Sequence, residues 1–243
     1  MGTIRVGTSG WNYPHWRGAF YPEGLAQKEW FGFYRERFDT VEVNNTFYQL
    51  PAPETVEAWR RQAGDDFRYT VKASRYITHM KKLKDPEEAT AQLFDRLRLL
   101  GPACDLVLFQ LPPKWTRNRS RLEAFVRSLP AGWRYAFEFR DPSWFHEEIY
   151  QVLGQANAAF CMYELDTLRS PEKLTSDLVY LRLHGPEGRY QGSYSDNALT
   201  EWAQRCRGWA DGGRDVRIYF DNDERGFAAR NALTLRRLLN RNR

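Results

Sequence analysis

The chain has 243 residues, 42% of them hydrophobic and 28% charged, with a formal net charge of +5. This is the composition of an ordinary globular protein and excludes a disordered or fibrous one; no apolar stretch approaches the roughly 18 residues of a membrane span. Cys104, Cys161 and Cys206 are widely spaced and odd in number, so they suggest neither a disulfide framework nor a metal-ligand spacing.

Eight short apolar runs follow in chain order, most of them trailed by a helix-length segment. Ile4–Gly7 begins almost at the N-terminus, which leaves no room for a signal peptide and, with the cysteines, points to the cytoplasm. The loop after it carries Trp11, Tyr13 and Trp16, rings suited to wall a pocket. In Thr40–Asn44, Glu42 and Asn44 share one face and Val41 and Val43 the other, because side chains two apart on a strand point the same way. Asn45, Thr46, Phe47 and Tyr48 come next. Arg68–Lys72 sets Thr70, Lys72 and Ser74 together and leads to Thr78 and His79. Leu106–Gln110 aligns Leu108, Gln110 and Pro112. Arg134–Phe139 aligns Ala136, Glu138 and Arg140 opposite Phe137 and Phe139; Asp141 or Ser143 then caps a helix on which His146 is placed. Ala159–Tyr163 holds Cys161 as a core thiol. Leu178–Leu183 aligns Tyr180, Arg182 and His184 and opens into a glycine-rich loop, Gly185–Asp196, from which Tyr190 or Tyr194 is expected to reach the strand ends. Val216–Phe220 aligns Arg217, Tyr219 and Asp221.

Strand then helix, about eight times over in roughly 250 residues, is the pattern of a TIM-like (β/α)8 barrel, expected here as a single domain over residues 1–243. Such barrels bury their apolar strand faces under helices and place their chemistry at the carboxyl ends of the strands. Glu42, Lys72, Glu138, Arg140, Arg182, His184 and Asp221 would then gather in one space, where ionisable groups are tolerated only if they pair or bind something.

The first reading is an enzyme acting on a small anionic substrate, phosphorylated or carboxylated. Lys72, Arg140 and Arg182 would hold the anion, and Glu42, Glu138 and His184 are the candidates for proton transfer. Trp11, Asn44, Tyr48, Gln110, Tyr219 and Asp221 would complete the substrate surface. The second is nucleic-acid binding on a basic, aromatic-lined mouth, consistent with the net charge of +5 and 15% aromatic content. Against it, much of the excess charge is helix and tail arginine, such as Arg236, Arg237, Arg241 and Arg243, which reads as a solvated helix face and a frayed terminus. The third is a metal-dependent hydrolase or isomerase. Glu42, Glu138, His184 and Asp221 are suitable ligand types for a divalent metal, but no histidine pair has metal spacing and the neighbouring arginines repel a cation. No organic cofactor is expected: the chain has no Gly-x-Gly-x-x-Gly fingerprint. No membrane partner is expected either.

Several strings together resemble a known family. Gly7-Thr8-Ser9-Gly10-Trp11 with Tyr13, Trp16, Gly18 and Phe20-Tyr21-Pro22 opens the set, followed by Glu42-Val43-Asn44 with Thr46-Phe47-Tyr48. Lys72-Ala73-Ser74 with Ile77-Thr78-His79, Phe109-Gln110-Leu111-Pro112-Pro113 and Glu138-Phe139-Arg140 with Trp144 continue it. Arg182-Leu183-His184-Gly185 and Tyr219-Phe220 with Asn222 close it. From Thr3 to about Leu239 the chain resembles domain-of-unknown-function family 72, the YecE-like family. The resemblance implies a TIM-like barrel and names no reaction. Where that family often shows two asparagines this chain has Asp221-Asn222, so a role needing a neutral amide does not carry over to position 221.

Overall fold

The computed structural model describes residues 1–166 and 168–240; Arg241 and Arg243 lie outside the described residues. The fold is a TIM-like barrel in which parallel strands alternate with helices along the chain. The strands are β1 Ile4–Thr8, β2 Thr40–Val43, β3 Arg68–Lys72, β4 Cys104–Leu111, β5 Tyr135–Phe139, β6 Ala159–Leu165, β7 Leu168–Arg169, β8 Leu178–Leu183 and β9 Asp215–Phe220. All but β7 coincide with the predicted runs, with ends moved by a residue or two. β7 pairs antiparallel with β6, so among the described residues the passage from β6 to β8 has a short hairpin where the other connections have a helix. The helices are α1 Trp30–Arg35, α2 Asn45–Tyr48, α3 Pro53–Ala63, α4 Glu87–Arg98, α5 Arg119–Ser128, α6 Glu147–Gln155, α7 Asp196–Asp211 and α8 Phe227–Asn240.

Local chemistry sets the helix starts. Pro53 takes the first turn of α3, where a missing N–H costs nothing. Asn118 caps α5 and Ser195 caps α7 by accepting backbone N–H bonds. Asp141 caps the short turn Pro142–Trp144 through Ser143 N at 3.0 Å, so the capping role falls to Asp141. His146 is not inside a helix as expected but caps α6.

The chain divides into two compact units. The first comprises Met1–Glu42, Met162–Ser170 and Leu178–Arg243. Its parallel register pairs Thr8 with Phe220 and Leu183 with Phe220, which brings the residues just past β1, β8 and β9 to one level. α7 and α8 pack on each other and on β9; α7 buries Leu199, Trp202, Ala203, Cys206, Trp209 and Ala210, the stripe of a 3.6-residue period. Gly7 admits the close approach of Thr40, whose carbonyl oxygen would lie 2.4 Å from any Cβ added there. Tyr21 and Trp30 stack at 4.7 Å and 5° in the same unit.

The second unit comprises Val43–Cys161 and Pro171–Asp177. β3, β4 and β5 pair in parallel, with Lys72 beside Leu108 and Gln110 beside Glu138. Phe137 and Phe139 are fully buried among Phe109, Phe125, Trp144 and Phe160. Each such ring is worth roughly 1.5–3 kcal/mol relative to exposure. Trp115 and Trp144 cross at 5.1 Å and 67°, and the Trp144 indole donates to Trp115 O at 2.6 Å. Tyr76–Met80 forms one π-helical turn after β3.

Candidate functional site

Of the predicted ionisable residues, Glu42, Arg182, His184 and Asp221 belong to the first unit and Lys72, Glu138 and Arg140 to the second. In the first, Glu42 of β2 is fully buried and saturated with donors. Ser9 Oγ donates to its Oε1 at 2.7 Å and Tyr180 hydroxyl to its Oε2 at 2.5 Å. Arg182 Nη2 donates to Oε1 at 2.7 Å, and Arg182 Nε to Oε2 at 3.0 Å. The same Nη2 reaches Asp221 Oδ2 at 2.9 Å, and His184 Nδ1 lies 3.0 Å from that oxygen. One guanidinium therefore joins two carboxylates, at 1% side-chain exposure against 0% for Glu42 and 12% for Asp221. Asp221 is the most open member of this set.

His184 Nε2 stands 3.4 Å from Arg182 Nη1. A guanidinium has no acceptor, so this contact needs a lone pair on Nε2 and leaves the ring proton on Nδ1. The tautomer that fits is the neutral imidazole. Tyr163 and Tyr190 flank the ring edge-on at 6.3 and 5.5 Å. Tyr13 hydroxyl donates to Ser9 O at 2.6 Å. Burial first, then the charges of Asp221, Asp223 and Glu42, push this phenol far above its ordinary range and keep it a donor. Burial and Asp221 also raise Asp223, whose Oδ2 lies 3.3 Å from His15 Nε2.

Arg182 was expected to hold an anion; its position between Glu42 and Asp221 instead makes it the internal counter-ion of both. It also occupies the place from which a cation would bridge those carboxylates. Among the described residues no group of three or more His, Cys, Asp or Glu is arranged to hold a metal. Tyr219 is fully buried, with its hydroxyl 2.8 Å from Thr40 Oγ1, and Trp11 is half-buried with its ring against Phe31 at 5.3 Å. Of the two loop tyrosines, Tyr190 reaches His184, while Tyr194 is buried and accepts from Gly185 N at 3.1 Å.

In the second unit Glu138 is fully buried and its Oε1 accepts from Arg140 Nε, so this arginine also is paired with a carboxylate. Cys161 Sγ lies 3.8 Å from Glu138 Oε2. Lys72 Nζ stands 4.3 Å from the centre of the Phe47 ring. His79 meets that ring edge-on at 5.0 Å and binds Thr78 Oγ1 through Nδ1 at 2.9 Å. Partial burial, then Lys72, Arg75 and Arg140, lower His79 to about 4. Gln110 and Asn44 are half-buried, and Asn44 Oδ1 has no hydrogen-bond partner among the described residues. Tyr48 is 72% exposed.

Against known proteins, a family model described as "Protein of unknown function DUF72" matches residues 5–243. The chain belongs to the DUF72 family. It is 33% identical over 143 residues to UPF0759 protein YecE of Escherichia coli (strain K12), covering 58% of this chain and 50% of that relative. The match thus spans half the length of that relative. A crystal structure of the DUF72 family protein TM1631 from Thermotoga maritima MSB8 superposes with a TM-score of 0.87 at 29% identity, covering 98% of this chain and 99% of that one. A DUF72 family protein from Enterococcus faecalis V583 gives 0.82 at 18% identity over 98% and 96%, a likeness of fold. These matches agree with the TIM-like barrel and with the family resemblance in the sequence. No helix among the described residues is long and apolar enough to cross a membrane.

Strand alternation singled out Glu42, Tyr180, Arg182, His184 and Asp221, and the structure joins all five. Continuing the same alternation from Asp221 reaches Asp223, which the sequence reading passed over because it lies beyond the apolar run. Phe47 stands within the Thr46-Phe47-Tyr48 string, and nothing in its sequence neighbours marks it as the ring that meets Lys72, Tyr48 and His79.

Proposed function

We propose that this DUF72 protein is an enzyme that carries out acid–base chemistry on a small anionic substrate, phosphorylated or carboxylated. The observation that supports it most is the setting of His79. Burial first, and then the positive charges of Lys72, Arg75 and Arg140 against that of Glu138, oppose protonation of this imidazole, and a cationic field of that kind beside the Lys72–Phe47 contact favours an anion. Lys72 is the principal anion ligand in this reading, and Arg140, oriented by Glu138, adds to the field. The first unit holds a separate candidate for proton exchange, Asp221, the most open member of its network. Arg182 and His184 hold it from behind, and Glu42 with Ser9 and Tyr180 keeps Arg182 in place.

Calorimetric titration with inorganic phosphate and pyrophosphate tests the anion reading. Saturable binding that weakens about tenfold in Lys72→Met is expected, the loss of one charge-assisted contact. No binding of either anion would sink it. Single-stranded oligonucleotides in the same titration address the alternative of nucleic-acid binding. An affinity that rises with strand length and falls steeply with salt would favour that reading instead.

A further inference from the structure

The geometry points to a nucleoside phosphate as the ligand class of the second unit, its phosphate held by Lys72 and its base stacked on Tyr48. This rests on the anion reading of the same cluster and adds the other half of the ligand. Phe47 is the hub. Lys72 Nζ sits over its face at 4.3 Å, and Tyr48 and His79 meet it near-perpendicularly, at 5.1 Å and 89° and at 5.0 Å and 82°. A cation, a neutral imidazole and an exposed phenol ring are thus fixed to one buried side chain. Tyr48 leaves 72% of its surface in water although an aromatic ring gains by burial. A lone exposed tyrosine needs no explanation. This one meets the same Phe47 ring that His79 and Lys72 meet. Tyr76 and Met80, the two ends of the π-turn that carries His79, are also exposed, at 44% and 66%.

Base stacking accepts any planar ring face, while the phosphate contact is ionic, so the two ends of a nucleotide match the two kinds of group present. With Nδ1 taken by Thr78, His79 presents Nε2 for a hydrogen bond to a base edge. A bare sugar phosphate satisfies Lys72 and leaves Tyr48 in water.

The test compares adenosine 5′-monophosphate, ribose 5-phosphate and adenosine by calorimetry on the full chain. The monophosphate is expected to bind about tenfold tighter than ribose 5-phosphate, the scale of one base–aromatic stack. Tyr48→Ala, at an exposed position, is expected to bring it down to the ribose 5-phosphate affinity, and Tyr48→Phe to keep the difference. Equal affinities for the two phosphates, unmoved by Tyr48→Ala, would overturn the nucleotide assignment and leave the anion site standing. Binding of neither phosphate would overturn both, and adenosine binding as tightly as its monophosphate would overturn the anion reading.

Discussion

Arg182 is where charge and burial meet most sharply. It lies between Glu42 and Asp221 at 1% side-chain exposure, so Arg182→Met leaves two carboxylates facing each other out of water. Breaking a buried pair in this way costs about 3–5 kcal/mol. Urea unfolding of Arg182→Met should show that loss, and adding Glu42→Gln should recover part of it; an unchanged midpoint would mean that the guanidinium is dispensable. At His79 the sign runs with pH. Its folded value of about 4 lies below the ordinary 6.5, so the unfolded chain takes up the proton first as pH falls. Stability tied to the neutral ring is therefore complete above pH 6.5 and is lost as the pH falls toward 4. An NMR titration should find the His79 ring neutral down to about pH 4, and Lys72→Met should raise that midpoint. At this scale strand alternation made the types and faces of the site residues readable. Their pairings were not, because they cross long stretches of chain: Ser9 meets Glu42 across 33 positions and Arg182 meets Glu42 across 140.

Among the elements, the connection from β8 to α7 carries the most conformational constraint. Gly185 has φ +112°, and a Cβ there would stand 2.1 Å from Gln191 O. The loop is pinned by Asn222 Nδ2 on Gly192 O at 2.8 Å and by Asn231 Oδ1, which accepts from Tyr194 N at 3.2 Å. Its outward residue, Tyr190, holds φ +64° while its ring meets His184. Backbone strain of this kind persists where the surroundings enforce it. Gly185→Ala should therefore lower stability by about 1–3 kcal/mol, read as a fall in melting temperature. A wild-type melt would show that the loop repacks freely. The glycines of this loop were legible as turn residues. The β6–β7 hairpin and the π-turn were not, because a two-residue strand and a single π-turn have no periodicity to detect.

For the whole molecule, the eight main strands and the alternation of element types were readable because each of those strands is a compact apolar run bounded by polar residues. The division into two units was not, because two of its four boundaries fall inside strands: between Glu42 and Val43 in β2 and between Cys161 and Met162 in β6. A strand that belongs to both units cannot unfold in one without fraying in the other, and on that basis we propose that residues 1–243 behave as one domain. Urea unfolding followed by far-UV circular dichroism and by tryptophan emission should give coincident transitions; two separated midpoints would show independent domains. The aromatic pairs supply the means to tell. Tyr21 stacked on Trp30 belongs to the first unit and Trp115 crossed with Trp144 to the second. Two indoles held at a fixed oblique angle are a chiral chromophore pair with an optical signature of its own. The second unit thus carries a built-in spectroscopic reporter, and loss of its exciton signal dates the opening of that half without any added label.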